Sequence, residues 1–305
     1  MAPGYLHRAQ HRSLLLASCR EPHGAARCAR GHHLSVAVAA LAVAMALTGC
    51  AGGVERREVV VTGSTTLLPI TEVAGEMYSE HNEGVSILVS GMGSSAGIES
   101  VTTGSSDIGT SSRELKGAES ELGLVDTPVA YDAIAVIVHP DNPVRDLTMA
   151  EVRAIFSGVI TNWSEVGGPD LPIGLVNRDE ASGTREAFSK IMMDGVPFDR
   201  GAVVLPGTGQ VRSVIADVEG AIGYISLGFV TDEVAAVAID GVEPSEASVV
   251  AGTYSVQRVL HFFTRDDVSD VAREYMSYVL SPDIQDTIVR EAGFIPITAK
   301  EESGD

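Results

Sequence analysis

Three short runs rich in glycine and hydroxyl residues punctuate the chain: Gly63-Ser64-Thr65-Thr66, Gly93-Ser94-Ser95 and Ser182-Gly183-Thr184. Each falls where apolar residues begin to recur at helical spacing, so each is expected to open a helix. A helix N-terminus presents backbone N–H groups without intrahelical partners and a partial positive charge, and hydroxyls add further donors. The chemistry open to such a set is the cradling of an oxyanion. Arg178, four residues before Ser182, adds a planar cation whose fork matches two oxygens of one anion. One run alone reads as a plain N-cap, which Ser and Thr make widely. Three runs together with an arginine favour an anion site.

Other chemistries fit less well. None of the runs ends in Gly-Lys-Ser/Thr, which excludes a nucleotide-hydrolase phosphate loop. Gly91, Gly93 and Gly97 miss the dinucleotide spacing by one residue. Gly93-Ser94-Ser95-Ala96-Gly97 does match the G-x-S-x-G nucleophile elbow, so a secreted serine hydrolase using Ser95 is the alternative from another class. It requires a later acid and a later histidine, and only His139 and His261 follow Ser95, neither in a catalytic setting. The histidines are far apart, with no H-E-x-x-H and no cysteine pair, so no metal site and no cofactor is expected. Trp163 reads as a packing anchor.

The elements that must position these residues alternate between short apolar runs and amphipathic stretches, the pattern of an α/β protein. Strands are expected at 58–62, 85–89, 133–138, 171–176, 220–226 and 234–239. The run Ala133 to Val138 is continuously apolar and predicts a strand buried on both faces. Helices are expected from Leu67, with Pro69 in the first turn, after Gly97, and over 147–156, 184–193, 275–280 and 284–289.

Charge divides the chain. The whole sequence has 21 Lys plus Arg against 41 Asp plus Glu, a formal net charge of −20, so a nucleic-acid partner is not expected. Residues 1–49 hold five arginines, one acid, and Cys19 and Cys28; without them the remainder stands at −24. The apolar run Leu34 to Leu47 would span about 21 Å as a helix, short of the roughly 30 Å hydrocarbon core, and reads as the core of an export signal. It ends at Leu47-Thr48-Gly49-Cys50, which resembles the bacterial lipoprotein box; that likeness implies cleavage before Cys50 and its lipidation.

Five motifs occur in order: Gly63 to Thr66; Gly91 to Ile98; Asp107-Ile108-Gly109-Thr110-Ser111-Ser112-Arg113; Ile155-Phe156-Ser157-Gly158 with Asn162-Trp163; and Arg178-x-x-x-Ser182-Gly183-Thr184-Arg185. Together they resemble the substrate-binding lipoproteins of phosphate ABC transporters. The resemblance implies a two-lobed α/β fold of the type II periplasmic-binding-protein kind, with inorganic phosphate clamped in the cleft between lobes and delivered to membrane permease subunits. It implies no enzyme activity. The expected organisation is a signal peptide at 1–49, a tether at 50–56, a first lobe from 57–131 plus 241–297, a second lobe at 132–240, and a polar tail at 298–305.

Carried over by motif, the phosphate-binding residues would be Thr65, Thr66, Ser94, Asp107, Arg178, Ser182, Gly183 and Thr184, with Ser64, Ser112 and Arg113 as adjacent candidates. Asp107 would accept the proton that phosphate, unlike sulfate, keeps near neutral pH. A receptor for another tetrahedral oxyanion, sulfate or molybdate, is the nearer alternative. The protein is expected outside the cytoplasm, lipid-anchored to the membrane and monomeric.

Overall fold

The computed structural model describes residues 57–299. The export signal, Cys50 and most of the polar tail lie outside the described residues.

The first lobe begins with three parallel strands, β1 (Arg57–Gly63), β2 (Val85–Gly91) and β3 (Ile108–Ser111). They are joined by α1 (Leu68–His81) and α2 (Ser94–Thr103). Pro69 lies in the first turn of α1, where a missing N–H costs nothing, and Ile70, Ala74 and Tyr78 face inward. A long strand, β4 (Val125–Val138), leads into β5 (Asp146–Leu147) and α3 (Met149–Phe156). The second lobe continues with β6 (Gly174–Arg178), α4 (Gly183–Phe188), β7 (Val203–Leu205), α5 (Thr208–Asp217), β8 (Ala221–Ser226), β9 (Ala235–Ile239) and α6 (Glu246–Val250). The chain returns through β10 (Gln257–Thr264), α7 (Asp270–Val279), α8 (Pro282–Ile284) and β11 (Ile295–Pro296).

The strand order β2-β1-β3-β10-β4-β8-β6-β7 is one continuous path. β4 belongs to both halves of it. Up to Ala133 it pairs antiparallel with β10, and from Ile134 onward with β8. Ala133 to Val138 are each fully buried, as continuous apolarity predicts for a strand covered on both faces.

Two large apolar clusters flank this path. The first gathers Val59, Ile70, Leu260, Tyr275 and Phe294. The second gathers Phe156, Trp163, Phe188 and Tyr224, with Phe188 stacked on Tyr224 at 4.0 Å between ring centroids. Trp163 is wholly buried there and donates its indole N–H to the Gly220 carbonyl at 3.0 Å. Val249, Tyr254 and Val256, expected to belong to a return segment starting near 241, pack in this second cluster; the first takes the chain back at β10.

Several element boundaries differ from expectation. The strand sought at 171–176 runs over 174–178, because Pro172 forms an isolated bridge to Asn162 before the strand begins. The helix sought from Leu147 starts at Met149: Leu147 pairs with Ile239, and Thr148 and Glu151 cap the helix reciprocally. The helix at 184–193 is α4 followed by a π-helical turn over Ser189–Met193. α7 begins at Asp270, earlier than expected, with Ser269 as its N-cap. Strands β3, β5, β7, β10 and β11 and helices α5 and α6 have no counterpart among the expected elements.

Candidate functional site

Four loops meet where the two lobes face each other. β1 ends at Gly63 and the chain turns through Ser64-Thr65-Thr66 into α1; β2 ends at Gly91 and turns into α2. On the other side β6 ends at Arg178 and turns through Ser182 into α4, while β7 ends at Leu205 and turns through Gly207 into α5. The parallel pairing of β6 with β7, Arg178 opposite Leu205, brings the last two turns together. This follows from the topology: parallel strands carry their βα turns at one edge, where ligands of open α/β sheets bind.

Hydroxyls from the two lobes touch. Thr65 Oγ1 lies 3.1 Å from Thr208 Oγ1, and Thr66 Oγ1 lies 3.2 Å from Thr184 Oγ1. Ser94 Oγ lies 3.2 Å from Ser112 Oγ and accepts the Ser112 N–H at 3.0 Å. The Ser95 N–H donates across the cleft to the Ala181 carbonyl at 3.2 Å. Two glycines permit this approach. A Cβ on Gly183 would fall 2.2 Å from Ser94 Oγ, and one on Gly93, at φ +94°, would fall 2.8 Å from the Ala181 carbonyl oxygen. The lobes are closed on one another, and the exposed pairs Lys116–Glu186 (2.9 Å) and Lys190–Glu114 (3.3 Å) also cross between them.

Arg178 is the charged centre. It is 2% exposed. Its side chain donates to the Leu205 carbonyl (3.2 Å), the Thr208 hydroxyl (3.0 Å), the Thr65 hydroxyl (3.2 Å) and the Pro206 carbonyl (2.7 Å). All of these acceptors are neutral, and among the described residues no carboxylate hydrogen-bonds or ion-pairs with it. Burial lowers the pKa of its guanidinium; Tyr224 and the neighbouring Asp179 carboxylate act the other way, and the charge of Arg258 adds to the lowering. A buried cation among neutral oxygens and hydroxyl donors is an electrostatic receptor for an anion.

Most of the sequence-derived candidates meet here. Thr65, Thr66, Ser94, Arg178, Gly183 and Thr184 line the contact between lobes, and Ser112 stands beside Ser94. Ser182 caps α4, accepting the Arg185 N–H at 3.2 Å, and Ser64 accepts the Thr66 N–H at 3.2 Å, so both also shape the turns. Two candidates point elsewhere. Asp107 precedes β3, and its carboxylate accepts the Val60 N–H at 2.8 Å. That puts it three strand positions back from Gly63, about 10 Å at the usual rise, so the proton-accepting role expected of it has no support from its position. Arg113 turns its fork onto Glu119, at 2.6 and 2.9 Å, where it is already answered by a carboxylate.

The hydrolase alternative fails on geometry. Ser95 Oγ accepts from Arg113 at 3.2 Å rather than facing a histidine. His261 Nδ1 pairs with Asp126 at 2.7 Å, the ring stacks on Phe263, and its buried Nε2 has no hydrogen-bond partner, so it does not serve Ser95.

Two members of the site escaped sequence reading. Thr208 opens a helix that buries only Val211 and Ile215 of its apolar residues, but Gly207 followed three residues later by Gln210 marks its start: the Gln210 side chain accepts the Gly207 N–H at 3.1 Å. Arg258, a buried residue, donates to the Ser112 carbonyl at 3.2 Å and to Thr66 Oγ1 at 3.4 Å. No spacing signal pairs it with its partner Asp132, 126 residues away.

Comparison with known proteins agrees with this geometry. A PBP superfamily domain model matches residues 48–283. The phosphate-binding protein PstS of Bacillus subtilis is 38% identical over 242 residues, 78% of this chain and 80% of that protein. The chain belongs to this family of substrate-binding proteins. Its fold is shared with a Clostridium perfringens protein, described as a phosphate ABC transporter substrate-binding protein and solved with bound phosphate: 38% identity, TM-score 0.76, covering 79% of this chain and all of the other. An ABC-type phosphate transport receptor from Vibrio cholerae aligns with TM-score 0.66 at 29% identity, over 78% of this chain and 99% of that one. Members of the family are receptors, not enzymes, and the two-lobed α/β architecture is theirs.

Proposed function

We propose that this protein captures inorganic phosphate outside the cytoplasm and delivers it to the permease of an ABC transporter. The observation that carries the reading is Arg178: a buried guanidinium that bonds only neutral acceptors and is ringed by hydroxyls from both lobes. Relatives named for phosphate binding, and one solved with phosphate, supply the identity of the anion. The set Thr65, Thr66, Ser94, Arg178, Gly183, Thr184 and Thr208 holds the ligand by hydroxyl and backbone donors and one charge, which allows an acidic protein to bind an anion by local geometry. Ligand stabilises the closed arrangement because only there do donors of both lobes reach it together. Lipidation at Cys50 tethers the receptor to the membrane as a monomer.

Titration calorimetry of the purified mature protein tests this. Phosphate is expected to bind with micromolar or tighter affinity and sulfate at least tenfold more weakly; no heat with phosphate, or equal affinity for sulfate, refutes it. Cys50→Ser is expected to release the protein from the membrane fraction, and retention there refutes the anchor.

A further inference from the structure

Arg258 stands outside the helix starts, yet its guanidinium reaches the same cradle. It lies on β10 opposite Asp132 of β4, one residue before β4 leaves the first sheet. Nε and Nη2 donate to Asp132 Oδ2 at 2.9 and 2.7 Å. The remaining reach goes to the site: Nη1 to the Ser112 carbonyl, and Nη2 to Thr66 Oγ1. Asp132 is itself answered on its other oxygen by the Ser226 hydroxyl (2.6 Å) and the Leu227 N–H (3.2 Å), both in the second lobe. The carboxylate is thus spent on holding Arg258, and the pair sits at the strand crossing with contacts into each lobe.

A guanidinium has donors and no acceptor. Its N–H directed at Thr66 Oγ1 occupies a lone pair there, which leaves the hydroxyl's own proton to point away, toward Thr184 or an oxygen bound between the lobes. Arg178 polarises Thr65 and Thr208 in the same sense. The two guanidinium groups are near enough to oppose each other's charge. We propose that Arg258, held by Asp132, is a second positioning cation of the site, which fixes the Thr66 hydroxyl as a donor to the bound anion and sets the turn at Ser112. The inference rests on the phosphate reading above.

The test is a double-mutant cycle in phosphate affinity. Removing the pair together, Asp132→Asn with Arg258→Gln, avoids stranding a lone buried charge. This variant and Thr66→Val are each expected to weaken phosphate binding about tenfold, and their combination by no more than about threefold beyond either, because both remove the same oriented donor. Affinity within twofold of the unaltered protein for the pair variant, or losses that multiply, overturns the proposal. A purely structural pair would lower the melting temperature without coupling to Thr66. Should the pair variant fail to fold, Arg258→Lys keeps the charge beside Asp132 but cannot bridge three partners. About fivefold weaker binding, with Thr66→Val then costing less than twofold more, supports the role, and full affinity or an undiminished Thr66 effect refutes it. Failure of the unaltered protein to bind phosphate defeats the functional reading instead, so the two are separable.

Discussion

Arg178 and Arg113 are both buried arginines beside a serine-rich turn, and they have opposite fates. Arg113, in the first lobe, closes a bidentate pair with Glu119 and takes the Glu114 carbonyl as well. Arg178, in the second, is set among carbonyls and threonine hydroxyls. The difference shows that burial of a cation does not by itself mark a ligand site. What marks it is whether a carboxylate takes up the guanidinium's hydrogen bonds: where one does, the arginine is architecture, and where only neutral oxygens accept them, the charge remains available to a ligand.

The largest effect should come from removing the unanswered charge. Arg178→Met is expected to weaken phosphate binding at least a hundredfold, about 3–5 kcal/mol, by calorimetry; a loss under fivefold would put the charge elsewhere. Closure should be next. Gly183→Ala, whose new methyl meets Ser94 and Ser112, is expected to cost about tenfold or more in affinity and to abolish the contraction that phosphate induces in small-angle scattering. Thr208→Val, which takes a hydroxyl from Arg178, should weaken binding about fivefold to tenfold while leaving scattering changes intact.

The smallest effect should be on the answered arginine. Glu119→Gln is expected to leave phosphate affinity within twofold and to lower the melting temperature by about 2–4 °C at pH 7, for a pair worth about 1 kcal/mol. Burial works against the Glu119 charge, but the Arg113 fork together with the Lys116 N–H and charge outweighs it and holds the carboxyl below its ordinary range. A carboxyl with a depressed folded-state pKa adds stability above its unfolded pKa and loses it as pH falls through the folded value. The difference between variant and unaltered protein should therefore vanish in strong acid; a gap that persists there contradicts the ion pair as its cause.

Much of the frame was legible because local signals and tertiary demands agree. Val59 and Val61, Pro69 before Ile70 and Ala74, and the unbroken run from Ala133 to Val138 each say one thing at every level. The site was legible where hydroxyls coincide with helix starts. Asp107 misled because the segment 107–113 offers several polar residues, and only the register of β3 on β1 decides that Ser112 lies at the ligand end and Asp107 at the other. Thr208 was hidden by a weakly apolar helix, and Arg258 by a partner that no local pattern ties to it. Its strand, Gln257–Thr264, mixes Arg and His among apolar residues, and those polar groups are buried only because Asp132 and Asp126 meet them from β4.

The crossing of β4 also has a consequence for how the molecule comes apart. A single 14-residue strand furnishes side chains to both apolar clusters, Val129 and Ala130 to one and Ile134, Val136 and Val138 to the other. Neither cluster can shed it without stripping hydrogen bonds from its neighbour, so the lobes are expected to unfold as one cooperative unit, with the slowest amide exchange in the middle of this strand. The strand that joins the halves thereby ties the stability of each to the other.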